Sequence, residues 1–149
     1  MDFWQFQKRL TAILLTWAGL SVGAGLALGR GNAFWRGLGE QFAGWGLVNA
    51  TIAMFGQRGA NRRQAQPDAD APVTLAAERR KLSRLLWLNT GLDVTYVLGG
   101  WAAARGRGAT DARWRGRGAG IMLQGGFLFL FDLLNALALR RLEGSAEEL

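Results

Sequence analysis

A chain of 149 residues that is 50% hydrophobic, carries a formal net charge of +7 and contains neither Cys nor His is one domain's worth of sequence with much familiar chemistry missing. Without thiols or imidazoles there are no disulfides, no zinc site of the usual kind, no histidine-ligated haem, and no Cys or His nucleophile or base. The positive charge does not point to nucleic acid, because Lys and Arg flank apolar stretches instead of forming one basic face, which suits anionic phospholipid headgroups.

The apolar residues collect in four blocks that lack Lys and Arg: Leu10 to Gly29, Gly37 to Gln57, Leu85 to Ala104, and Gly118 to Leu139. Each is about 20 residues, the length a helix needs to cross ~30 Å of hydrocarbon. The expected fold is therefore all-α, an integral membrane four-helix bundle made of two repeated helical hairpins. Lys8 and Arg9 before the first block resemble the start of a signal peptide. That apolar run exceeds the roughly 7 to 15 residues of a signal core, and no small-residue cleavage site follows, so it reads as a retained span.

The sequence divides into a first hairpin over about residues 5–58, a cytoplasmic linker over about 59–74, a second hairpin over about 75–142, and a short acidic tail, 143–149. Pro67 and Pro72 mark the linker as flexible, Thr74 offers an N-cap for the third helix, and Gly144 offers a C-cap before a frayed tail with Glu143, Glu147 and Glu148. Eleven of the 18 Lys and Arg residues, Lys8, Arg9 and those of the linker and last helix end among them, fall on one side, against seven on the other. The richer side is expected to be cytoplasmic, with both termini there.

An internal repeat supports the two-hairpin division. Arg9-Leu10-Thr11 and Gly19-Leu20-Ser21-Val22 recur as Lys81-Leu82-Ser83 and Gly91-Leu92-Asp93-Val94. Trp35-Arg36-Gly37 resembles Trp114-Arg115-Gly116, and Leu47-Val48-Asn49-Ala50 resembles Leu133-Leu134-Asn135-Ala136. Such units would be parallel repeats about an axis along the membrane normal. Trp4 is expected at the cytoplasmic interface and Trp35, Trp101 and Trp114 at the opposite one, while Trp17, Trp45 and Trp87 supply packing bulk within the blocks.

Polar residues inside the blocks are the candidates for chemistry, since a carboxylate at the centre of a membrane helix costs ~2.5–3.5 kcal/mol on insertion scales. Asp93 lies in the middle of the third block, Asp132 in the fourth, and Glu40 near the outer end of the second. No block holds a cation to pair with them, so they must be protonated, hydrogen-bonded, hydrated or bound to a cation. Helical spacing places Asn89, Asp93 and Tyr96 on one face, Gln124, Leu128, Asp132 and Asn135 on another, and Gln41, Trp45 and Asn49 on a third. With Thr16 and Ser21 they would form a polar layer across the bundle. Two readings stay open: hydrogen-bonding glue between helices, or a proton or cation site at Asp93 and Asp132 supported by Asn49, Asn89 and Tyr96.

Of the 22 glycines, Gly19/Gly23, Gly25/Gly29 and Gly116/Gly120 have the spacing that lets helices approach closely, within one bundle or between copies. The Arg-Gly pairs of Arg105 to Gly108 and Arg115 to Gly118 read as a headgroup-facing surface. No phosphate-binding loop or dinucleotide fingerprint is present.

Two segments, Leu88-Asn89-Thr90-Gly91-Leu92-Asp93-Val94-Thr95-Tyr96 and the run from Gly118 through Gln124-Gly125-Gly126-Phe127 to Asp132, resemble a family of small bacterial four-helix membrane proteins of unknown function. The resemblance implies the same architecture in a bacterial cytoplasmic membrane and implies no activity. The function expected first is a non-enzymatic structural or accessory membrane component, alone, as a homo-oligomer or in a larger membrane complex. The alternative is a small oligomeric transporter or channel for protons or cations. A membrane enzyme ranks third, although carboxylates alone can do acid-base work. No cofactor or metal is expected.

Overall fold

The computed structural model describes residues 2–147, and the side chains of residues 2–141. Four helices make up the described chain: α1 (Phe3–Leu28), α2 (Ala33–Gln64), α3 (Pro72–Arg105) and α4 (Ala112–Glu147), with one 3₁₀ turn (Arg107–Ala109) between the last two. There is no strand among the described residues. Three helices start on a carboxylate or amide that takes up free backbone N–H groups. Asp2 accepts from the Gln5 amide at 2.7 Å, Asn32 from that of Trp35 at 3.3 Å, and Asp111 from those of Arg113 and Trp114 at 2.8 and 3.3 Å. Helix α3 starts differently, with Ala71 at the cap and Pro72 in the first turn, where a missing N–H costs nothing.

The middle connection corrects one expectation. Helix α2 continues through Gly59 to Gln64 and α3 begins at Pro72, so only residues 65–71 lie outside helix. Thr74 therefore sits inside α3 and its hydroxyl donates to Asp68 at 3.2 Å instead of capping a helix. This connection is pinned at its other side by the Trp4 indole, which donates to Asp70 at 3.3 Å. Helix α4 passes through Gly144 to Glu147, so that glycine does not end it. Glu148 of the expected frayed tail lies outside the described residues, as do the side chains of Glu143 and Glu147.

Glycine contacts set the packing. A Cβ on Gly25 would lie 2.5 Å from the Ala43 nitrogen and 2.7 Å from the Gly39 carbonyl oxygen, so α1 and α2 touch backbone to backbone. The α3–α4 hairpin closes the same way, with a Cβ on Gly118 meeting the Gly100 oxygen at 2.5 Å and the Ala104 nitrogen at 2.6 Å. Helix α4 also packs against α2, with Gly116 and Gly120 facing Phe34 and Gln41. Gly19 and Gly23, by contrast, face open space.

At the end that holds the N-terminus and the 65–71 connection, Phe3, Trp4 and Phe6 pack with Leu82, Leu86, Ala136 and Leu139. Trp4 is thus a core residue, not an exposed interface anchor. Trp87 is exposed and supplies no core bulk. The two hairpin loops meet at the opposite end, where Arg105 lies over Trp101 at 4.7 Å and Arg107 and Arg117 over Trp114 at 4.9 and 5.0 Å.

Two helices, Phe3–Leu28 and the Ala112–Arg141 stretch of α4, are long and apolar enough to cross a membrane. Helices α2 and α3, at 32 and 34 residues, are long enough, about 50 Å at ~1.5 Å per residue. They are less apolar because they carry Glu40, Gln41 and Asn49, and Asn89, Asp93 and Tyr96. Those are the residues gathered at the candidate site.

Candidate functional site

Helix α2 runs along α1 and α4, and α3 runs along α4. Between α2 and α3 a cavity of about 440 Å³ remains, floored by α4 residues and reaching Leu14 of α1. The spacing of polar residues on α2 and α3 directs them into it: Asn49 from α2 (3% exposed), and Asn89, Asp93 (3%) and Tyr96 from α3, facing Asp132 of α4 (6%). The Asp93 and Asp132 carboxyls are adjacent and interact with one another, and Asn89 reaches Asp132. Asn49 Nδ2 is buried in this wall with no hydrogen-bond partner, and Asp93 Oδ2 is reached by no donor outside the carboxyl pair. Unpartnered acceptors and donors are costly in a low-dielectric surrounding.

The layer anticipated across the whole bundle is divided in two. Gln124, fully buried, does not enter the cavity. Its Oε1 accepts from the Trp17 indole at 2.9 Å and its Nε2 donates to the Ser21 hydroxyl at 3.1 Å, which ties α4 to α1. Trp17 is also stacked on Phe127, centroids 3.8 Å apart and planes inclined by 11°. This second cluster is closed and satisfied. Asn135 stands apart from both, donating to the Phe131 carbonyl one turn earlier at 2.7 Å. Thr16 bonds its own helix at the exposed Ala12 carbonyl and belongs to neither cluster.

Glu40 corrects a further expectation. It lies at the outer end of the cavity but is neutralised by cations from just beyond the fourth apolar block. Arg113 donates through Nε at 2.9 Å and also through Nη2, and Arg117 donates through Nε at 2.8 Å. Side chains in the first two turns of α4 reach Glu40 because the α2–α4 glycine contacts bring the helix ends together. Neither Arg lines the cavity, and among the described residues no Lys or Arg does. The Asp93–Asp132 pair is thus left without a counter-charge. Two adjacent buried carboxyls repel when both are charged, which favours one proton kept between them or a cation held by both.

Sequence reasoning missed Trp45 as a site residue. Its ring lies 4.9 Å from that of Tyr96, inclined by 69°, and both line the cavity. The signal was present, since Trp45 shares a helix face with Gln41 and Asn49, and all three line the cavity. Among the described residues no group of three or more His, Cys, Asp or Glu is gathered closely enough to hold a metal ion.

No curated protein and no solved structure matches this chain. Residues 13–133, which include both polar clusters and every residue of the cavity wall, match a family of unknown function (DUF6992), and the chain belongs to that family.

Proposed function

We propose that this chain is an integral membrane protein of a bacterial cytoplasmic membrane, its four helices crossing the bilayer with both termini cytoplasmic, and that it handles protons or cations through Asp93 and Asp132. The observation that carries the reading is the carboxyl pair without a counter-charge, facing a cavity beside the unpartnered Asn49 amide nitrogen. A polar layer that served only to join helices would be expected to satisfy its own donors and acceptors, as the Trp17–Gln124–Ser21 cluster does.

Membrane insertion is supported by the outer surface. Large apolar side chains point outward on every helix, Leu20 (64% exposed), Phe55 (66%), Leu98 (61%) and Leu134 (62%) among them, an apolar surface far beyond the isolated patches of soluble monomers. The Arg and Trp contacts at the loop end suit anionic phospholipid headgroups. Glycine contacts close each hairpin, Gly25 with Gly39 and Gly118 with Gly100, in keeping with two parallel repeats.

A second reading, a structural or accessory membrane component, has its own support in the closed Trp17–Gln124–Ser21 network. Reconstitution of the full chain in liposomes separates the two. Proton or K⁺ flux is expected in the wild type and is lost in Asp93→Asn and Asp132→Asn while the variants still fold. Absence of flux in the wild type, with both variants merely less stable, returns the molecule to the structural reading.

A further inference from the structure

The size, lining and opening of the cavity narrow what it holds. A proton or bare ion needs no more room than a water molecule, ~30 Å³ of liquid volume. The cavity offers about 440 Å³, within the range of ~300–1,000 Å³ typical of small-molecule sites. Its charge is one-sided. Glu40 is held by Arg113 and Arg117, which stand outside the cavity wall, and no Lys or Arg among the described residues lines the cavity beside the Asp93–Asp132 pair, so a positive charge is favoured over a negative one at the pair.

Apart from the amides of Gln41, Asn49 and Asn89, the remaining wall is apolar and aromatic. The Trp45 and Tyr96 rings stand edge to face on it, an arrangement that leaves a π face available to a positive charge. Val48 and Ile52 of α2 and Leu92 of α3 line the cavity and are also exposed on the outer surface, so its mouth opens sideways between these helices. In the membrane reading that mouth faces lipid. A hydrated inorganic ion would gain nothing from such walls, whereas an apolar body would. The Asp93 and Asp132 carboxyls supply acceptors suited to a charged N–H, and the side-chain amides of Asn49 and Asn89 line the same cavity, suited to a hydroxyl or carbonyl oxygen.

We propose that the cavity between α2, α3 and α4 binds an organic cation, a protonated amine with an apolar or aromatic body, which enters sideways between α2 and α3 and places its charge against Asp93 and Asp132. This rests on the cavity being a cation site and adds the class of cation. Trp45 and Tyr96 hold the body of the ligand, and Asn49 orients it.

Calorimetric titration of the purified full chain in detergent tests this, with 2-phenylethylammonium as the probe. The neutral 2-phenylethanol, the anionic 3-phenylpropanoate and K⁺ serve as comparisons. Saturable binding of the ammonium is expected, with the alcohol and the carboxylate at least about tenfold weaker, since loss of charge removes the carboxyl and ring contacts together. Trp45→Ala should weaken ammonium binding roughly tenfold. Gly44 lines the cavity and a Cβ built on it meets nothing within 4 Å, so Gly44→Leu places a bulky side chain at the cavity wall, with its Cβ free of clashes. It should abolish ammonium binding and leave K⁺ binding in place, with a melting midpoint no lower than that of the wild type. Asn135→Ala, outside the cavity, should bind the ammonium as the wild type does. Equal binding of the alcohol, or full binding by Gly44→Leu, overturns the inference. K⁺ binding that depends on Asp93 with no ammonium binding sinks the organic cation and leaves the cation site standing; no binding of either ion sinks both.

Discussion

The two polar clusters should respond oppositely when made apolar. Gln124→Leu removes two hydrogen bonds and strands the Trp17 indole N–H and the Ser21 hydroxyl. At ~0.6–1.7 kcal/mol for an interhelical hydrogen bond in a membrane protein, the loss should be about 1–3 kcal/mol. Asn49→Leu keeps the size and branching of the side chain and removes an amide nitrogen that already lacks a partner. Its effect on stability should fall between neutral and about 1 kcal/mol of stabilisation, with ligand or ion binding impaired, the exchange of stability against function expected at a working site. Denaturant titration of both variants in mixed micelles, followed by circular dichroism, measures the difference. Equal destabilisation by the two substitutions would refute the division into a closed cluster and an open one, because it would mean that the Asn49 amide is as fully engaged as that of Gln124.

Glycine positions sort in the same way. Gly118→Val drives a side chain into the Gly100 and Ala104 backbone and should cost about 1–3 kcal/mol or prevent hairpin closure, while Gly19→Ala, with nothing within 4 Å of the new methyl, should gain up to about 1 kcal/mol, both read as shifts in the micelle unfolding midpoint. Glu40→Gln breaks pairs with Arg113 and Arg117 whose side chains are partly exposed, so the loss should stay below about 1 kcal/mol and shrink as salt is raised. A loss unaffected by ionic strength would show that Glu40 acts through packing. The chain contains no Cys, so single cysteines placed at Asp68 and Thr110 can be labelled from one side of intact vesicles at a time. The two positions should react from opposite faces, and labelling of both from the same face would rule out the proposed topology.

Much of the candidate site was legible as helical spacing. Asn89, Asp93 and Tyr96 recur at intervals that any α-helix places on one face, and they do line one cavity wall. The same rule grouped Gln124 and Asn135 with Asp132 and was not sufficient there. A helix face is wide enough to meet two neighbours, and Gln124 turns to Trp17 and Ser21 on α1 while Asp132 turns to Asp93 on α3. Glu40 was misjudged because counting cations within its own block ignores side chains from another helix end. Trp4 was misjudged because the folded-back connection at Asp70 covers it.

The sequence by itself determined the four long helices and the unusual apolarity of their surfaces, because backbone hydrogen bonding and the hydrophobic effect act locally and are written in residue periodicity and block length. Which buried polar groups meet a partner and which are left facing a cavity was decided only by the tertiary structure. That outcome depends on the glycine contacts that seat α4 against α2 and α3 and hold α2 away from α3, and the distance between two helices is a property of neither sequence segment alone.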